Sequence, residues 1–126
     1  MIVGIGLDVV EVDRMAQLLA RRGEAALRRL FTPAEVDHCR GEPHPAASFA
    51  ARFAAKEALL KALGTGWQGG VRWIDVEVVR PDAAAPQLQL HGRTAQLAAR
   101  RGVTRCHLSL THTAQWAAAV VVLEAA

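Results

Sequence analysis

The chain has 126 residues, is 52% apolar and 21% charged, and carries a formal net charge of +3. That length suits one folded domain, residues 1–126, and leaves no room for separate catalytic and binding domains. The longest uninterrupted apolar run, Trp116 to Leu123, falls well short of the ~18–20 residues that span a bilayer. The two cysteines, Cys39 and Cys106, have neither metal-ligand spacing nor the number that a disulfide framework needs. No basic segment precedes the alternation that begins at Ile2, so the expectation is a soluble, cytoplasmic protein with reduced cysteines and no membrane contact.

Residues Ile2 to Val12 read as a strand with Val3, Ile5, Leu7 and Val9 on one face and Ile2, Gly4, Gly6 and Asp8 on the other. Glycines inside a strand weaken it, so these two point to close approach by a ligand or another backbone. Asp8 is then either a ligand-facing carboxylate or an ordinary strand-end aspartate. Asp13 is placed to cap a helix through about Arg22, stopped by Gly23. Its exposed side is basic. Arg14, Arg21, Arg22, Arg28 and Arg29 form a patch that suits an acidic partner, although a merely solvated face has the same composition. Nucleic acid is the weaker partner, because three Phe, three Trp and no Tyr leave little to stack on bases.

Phe31-Thr32-Pro33-Ala34-Glu35-Val36 has the layout of a helix start. Thr32 is N-cap, Pro33 takes the first turn, Glu35 closes a capping box and Phe31 staples onto Val36. Glu35 therefore has a structural task and is discounted as a catalytic acid. Pro43 and Pro45 mark a loop, and a long helix starts near Ala46 to Ser48 and runs through Arg52 to the glycines Gly64 and Gly66. At about 100° per residue, Phe49, Phe53, Leu60 and Leu63 share one apolar face. Lys56 falls inside that stripe, with Glu57 and Lys61 along its edge. Charges so placed call for a bound ion, an anionic ligand or another subunit. The alternative is an exposed i, i+4 pair of Glu57 with Lys61, worth a few tenths of a kcal/mol.

From Val71 to Val79, Ile74, Val76 and Val78 alternate with Asp75 and Glu77, which reads as a half-buried strand with an acidic outer face. Asp82 to Pro86 is a turn, Gln87 to Leu90 a short strand, and Gly92 opens a helix that ends at Gly102. In Thr104 to Thr111, Cys106, Leu108 and Leu110 share one face. His112 lies in the turn beyond, and Trp116 to Leu123 returns as a buried central strand.

No nucleophile elbow surrounds Ser109. Gly4-Ile5-Gly6 is no dinucleotide fingerprint, and Gly64-Thr65-Gly66 lacks a Walker pattern. What remains is two hard oxygen ligands, Asp8 and Glu57, with Arg52, Lys61 and His112 as phosphate-binding groups. Magnesium typically takes one or two carboxylates with phosphate oxygens and water, so this set suits Mg²⁺ and a polyphosphate.

Four blocks resemble the holo-acyl-carrier-protein synthase family, the short bacterial type of 4′-phosphopantetheinyl transferase. They are Gly4-Ile5-Gly6-Leu7-Asp8 with Arg14, Phe31-Thr32 with Glu35, Arg52-Phe53-Ala54-Ala55-Lys56-Glu57-Ala58 through Gly66, and His107-Leu108-Ser109-Leu110-Thr111-His112. They fall in order over essentially the whole length. The resemblance implies an α+β fold, a long helix packed on a small, mostly antiparallel sheet. It implies transfer of 4′-phosphopantetheine from coenzyme A to a serine of an acyl carrier protein, with release of adenosine 3′,5′-bisphosphate. Asp8 and Glu57 match the family's Mg²⁺ ligands and, with Lys61, its catalytic set. Arg52, Lys61, Gly64, Thr65, Gly66 and His112 match its coenzyme A contacts. Arg14 matches a contact to the acidic carrier, and Arg21, Arg22 and Arg28 extend it. The resemblance further implies a homotrimer with sites between subunits. The proton acceptor stays open among a metal-bound water, Glu57 and Asp8. The competing expectations are a non-catalytic module that binds coenzyme A or carrier protein, and a basic nucleic-acid binder.

Overall fold

The computed structural model describes residues 1–67 and 69–126. In chain order the elements are β1 (Ile2–Glu11), α1 (Val12–Leu30), α2 (Pro33–Arg40), α3 (Pro45–Leu63), β2 (Val76–Val79), β3 (Gln87–Leu90), α4 (Gly92–Arg100), β4 (Val103–His112) and β5 (Trp116–Ala125). The main sheet is antiparallel in the order β1-β5-β4, and β2 and β3 form a separate antiparallel hairpin. The apolar run of β5 is thus the central strand, as its sequence predicts, and the fold is α+β.

Helix α3 is the hub. It packs on β1 and β5 and is buried on nearly every side, from Ala47 through Leu63. The stripe expected on its wheel is therefore only part of the buried surface, because alanines let neighbours close in all round. Its C-terminal carbonyls, of Ala62 and Leu63, are capped by the Arg101 guanidinium, each at 2.9 Å.

Strand β1 sits on this helix through its glycines. A Cβ at Gly6 would stand 1.8 Å from the Ala58 carbonyl oxygen, and one at Gly4 would stand 2.2 Å from that of Ala62. Of the two causes open in the sequence, backbone approach is the one found. The apolar residues of β1 consequently face outward: Ile5, Leu7 and Val9 are 68%, 61% and 54% exposed.

Several boundaries differ from expectation. Helix α1 does not end at Gly23 but kinks there, at φ 54°, and continues to Leu30; Asp13 lies in its first turn, with Glu11 at the N-cap and no side-chain cap bond. The capping box at Thr32 and Glu35 is formed as read. The strand expected from Val71 begins only at Val76, after a one-turn 3₁₀ helix over Trp73–Asp75. Asp75 is buried and paired with Arg72, and Glu77 is held by Thr32 and His91, so the two do not form an exposed acidic face. His112 is the last residue of β4 rather than part of the turn.

Candidate functional site

The end of β1, the first half of α1 and the outer edge of α3 enclose a cleft of about 680 Å³. Asp8, Arg14, Arg21, Arg22, Phe53, Glu57 and Lys61 all line it. Asp8 reaches it because the glycine face of β1 lies on α3. Glu57 and Lys61 reach it because they stand one turn apart on the exposed edge of that helix. The Lys61 ammonium bonds Asp8 Oδ1 at 2.9 Å and the Leu7 carbonyl at 3.1 Å. Lys61 thus pairs between helix and strand, and the alternative i, i+4 pair of Glu57 with Lys61 is not the one formed.

Glu57 takes a different partner, the indole N–H of Trp67 at 3.3 Å from Oε1. Burial pushes the Glu57 carboxyl above the usual glutamate range. The Trp67 hydrogen bond and Lys61 oppose that rise, and the Asp8 carboxylate adds to it. Two carboxylates that repel one another across a cleft are a place where a cation is favoured. Among the described residues no three His, Cys, Asp or Glu side chains gather into a metal-binding group. A cation here would therefore have two protein carboxylates, and its other ligands would come from water or substrate oxygen atoms, which is the habit of Mg²⁺.

Lys56, the charge inside the apolar stripe, finds its partner within the chain. Its ammonium donates to Glu35 Oε1 at 2.8 Å, to the Trp73 carbonyl at 3.1 Å and to the Val76 carbonyl, and it lies 5.6 Å from the centre of the Phe31 ring. Glu35 also accepts from the backbone N–H groups of Thr32 and Val78. Burial pushes the Lys56 ammonium below the usual lysine range, and the Glu35 carboxylate opposes that. No bound ion, ligand or second subunit is needed to satisfy it. Sequence reasoning missed this pair because Glu35 was already assigned to the cap; it does both.

The remaining candidates are not all in this cleft. Arg52 is buried, bonded to the Ser48 hydroxyl at 2.9 Å and to its carbonyl, and its Nε has no acceptor among the described residues. His112 lines a second pocket of about 480 Å³ with Pro43, His44, Pro45 and Thr113, and the two pockets share no residue. Gly64 ends α3 in the left-handed conformation, at φ 74°, and Thr65 and Gly66 continue the turn; none of the three lines the cleft. Arg28 lies beyond the Gly23 kink and lines an apolar groove with Leu27, Phe31 and Ile74, away from Arg14, Arg21 and Arg22. No helix among the described residues is long and apolar enough to cross a membrane.

The sequence pattern of the 4′-phosphopantetheinyl transferase superfamily matches residues 4–121. The chain is 50% identical to the holo-[acyl-carrier-protein] synthase of Koribacter versatilis over 124 residues, which are 98% of this chain and 99% of that protein. Its fold is similar to the crystal structure of the Neisseria meningitidis holo-[acyl-carrier-protein] synthase, with a TM-score of 0.88 at 32% identity over 98% of this chain and 99% of the other. It is also similar to the Helicobacter pylori holo-[acyl-carrier-protein] synthase in complex with coenzyme A, with a TM-score of 0.83 at 28% identity over 95% and 99%. With the motif blocks, the fold and the relatives in agreement, the chain belongs to the holo-[acyl-carrier-protein] synthase family of 4′-phosphopantetheinyl transferases.

Proposed function

We propose that this chain transfers the 4′-phosphopantetheine group of coenzyme A to a serine hydroxyl of an apo acyl carrier protein, with Mg²⁺ held by Asp8 and Glu57. The observation that carries the reading is the meeting of Asp8, Glu57 and Lys61 in one cleft whose wall is Arg14, Arg21 and Arg22. In the reaction the serine oxygen bonds to the phosphorus that bears pantetheine. The bond from that phosphorus to the bridging oxygen breaks, the serine proton is lost, and adenosine 3′,5′-bisphosphate leaves. When bound, Mg²⁺ supplies positive charge against the pyrophosphate oxygens, which stabilises the charge that develops on the leaving phosphate.

The chain's own residues do the rest. Asp8 and Glu57 approach from a strand and a helix that are locked together by Gly4 and Gly6, so their separation is set by the backbone rather than by loops. Lys61, exposed over 54% of its side chain, is open enough to exchange Asp8 for a substrate phosphate. The arginines of α1 present positive charge to an acidic carrier, which raises the rate of encounter. A non-catalytic module that binds coenzyme A or carrier protein would have no need of Asp8, Glu57 and Lys61 together in the cleft.

Within one copy His112 lies outside the cleft and Arg52 is buried against Ser48, so the cofactor role proposed for His112 needs a neighbouring copy. The outward face of β1, with Ile5, Leu7 and Val9, pairs across the sheet with Val122, Val120 and Ala118, and forms a broad apolar surface. A ring of three copies would cover that surface, and the reading requires the His112 pocket of one copy to meet the Asp8 cleft of the next.

Incubating the protein with apo acyl carrier protein, coenzyme A and Mg²⁺ should add one phosphopantetheine group to the carrier by intact mass. Glu57→Gln should lower the rate about 100-fold or more, the usual scale for removing a charge-stabilising group, with the fold retained by circular dichroism. Absence of any mass gain over several carriers would overturn the transferase reading.

A further inference from the structure

Beside Glu57 stands an aromatic stack that the transfer chemistry does not use. The Phe53 and Trp73 rings lie 4.8 Å apart and 21° from parallel, and Trp67 packs on Trp73 with its centroid 3.4 Å away and its plane tilted by 34°. Trp73, which touches both other rings, is anchored, because its carbonyl accepts from the buried Lys56 ammonium. The outer end is Trp67, in a segment where Gly64, Gly66 and Gly69 all have positive φ. Such a backbone does little to fix a side chain, so the stack fixes the indole.

An indole has one polar atom, and it is a donor only. Trp67 could leave that N–H in water. Instead it is turned inward onto Glu57 Oε1, at 3.3 Å. A carboxylate with one oxygen held by a donor has lost most of its freedom about the last torsion, which aims the other oxygen. Outer partners of this kind orient metal-ligating side chains, and losing one typically costs 10–100-fold in metal affinity or activity.

We propose that Trp67 is a positioning residue of the transfer site: its indole N–H, braced by Trp73 and Phe53, holds Oε1 of Glu57 and presents that carboxylate to the cleft. The proposal rests on the reading of Glu57 as a Mg²⁺ ligand. It assigns Trp67 no contact with the reacting atoms.

Three tryptophans give three indole N–H signals in a ¹H–¹⁵N spectrum, and the signal lost in Trp67→Phe belongs to Trp67. In Glu57→Gln that signal should move, because a neutral amide accepts more weakly than a carboxylate, while the Trp73 and Trp116 signals move far less. In the wild type the same signal should respond to MgCl₂ with coenzyme A. Kinetically, Trp67→Phe keeps a stacking ring and removes the donor. Its KM for Mg²⁺ should rise about tenfold, at the lower end of the outer-partner range, with kcat and the melting temperature near native. A Trp67 signal unmoved by Glu57→Gln overturns the proposal, as does native Mg²⁺ dependence in Trp67→Phe when Glu57→Gln is impaired. Native Mg²⁺ dependence in Glu57→Gln itself overturns the metal reading beneath it, and the proposal with it.

Discussion

Two lysine–carboxylate pairs stand on α3 little more than one turn apart, and they are opposite in kind. Lys56 and Glu35 are both 0% exposed, while Lys61 and Asp8 are 54% and 16% exposed. The first pair is enclosed by the Trp73 and Val76 carbonyls and the Phe31 ring, and has nowhere to go. The second closes across a cleft that is open to solvent. Their chemistry is the same, ammonium on carboxylate, so surroundings decide which pair is locked into the architecture and which is open to the catalytic role proposed above. A buried pair is costly to break and slow to exchange; an open pair is cheap to break and free to trade its partner for a phosphate.

The largest effect should come from breaking the enclosed pair. Lys56→Met leaves the Glu35 carboxylate buried with only the Thr32 and Val78 backbone donors. It should lower the unfolding free energy by about 3–5 kcal/mol, the cost of stranding one member of a buried pair, measured by urea denaturation. Removing both charges with Lys56→Met and Glu35→Leu should recover part of that loss, less the capping-box contribution of about 1 kcal/mol. A single-variant loss under about 1 kcal/mol would show that the enclosed pair is no anchor, and the contrast with Lys61 would fail.

The open pair should behave in the reverse way. Lys61→Ala should change stability by less than about 1 kcal/mol, since exposed pairs are worth little, yet slow phosphopantetheine transfer about 100-fold by removing a cation from the leaving phosphate. Thermal melts and single-turnover rates on the same preparation check both halves. A variant that melts early and turns over normally would place Lys61 with the architecture.

Much of this contrast was legible in the chain, and its gaps have a common cause. Thr32, Pro33 and Glu35 announce a cap because capping is a local pattern. Asp8, Glu57 and Lys61 stand out because hard oxygen ligands beside a cation are a chemical pattern. The wheel rightly demanded a partner for Lys56, but the partner is Glu35, 21 residues away, and no periodicity of one helix names a residue on another. The same blindness covers β1. Alternation gives two faces without saying which is inward, and the glycine face is the buried one because α3 has backbone there to receive it. Trp67 went unread for a third form of the same reason: its role lies in a hydrogen bond across a glycine-rich turn that carries no repeat. Arg52 and His112 were grouped with Asp8 by residue type, and within one copy of the chain they lie apart from it.

The smallest effect is also the one whose sign separates the cleft from the enclosed pair most cleanly. Burial raises the Glu57 carboxyl in the folded chain, whereas the unfolded chain keeps the ordinary glutamate value of about 4.3. Between those two values the folded state holds more protons than the unfolded state, so stability falls as pH rises through that window. In EDTA, the melting temperature of the wild type relative to Glu57→Gln should therefore decline as pH climbs from about 4.5 towards neutrality. The decline should be small, because Glu57 is only partly buried and water screens its carboxyl. The amide of the Glu57→Gln variant does not titrate, so that variant escapes the cost while giving up turnover. Adding Mg²⁺ should reverse the order at neutral pH, since a cation that binds the folded carboxylates stabilises the wild type by mass action. If the wild type gains on the variant with rising pH in EDTA, Glu57 is held as a satisfied carboxylate, and the cleft is as architectural as the pair at Lys56.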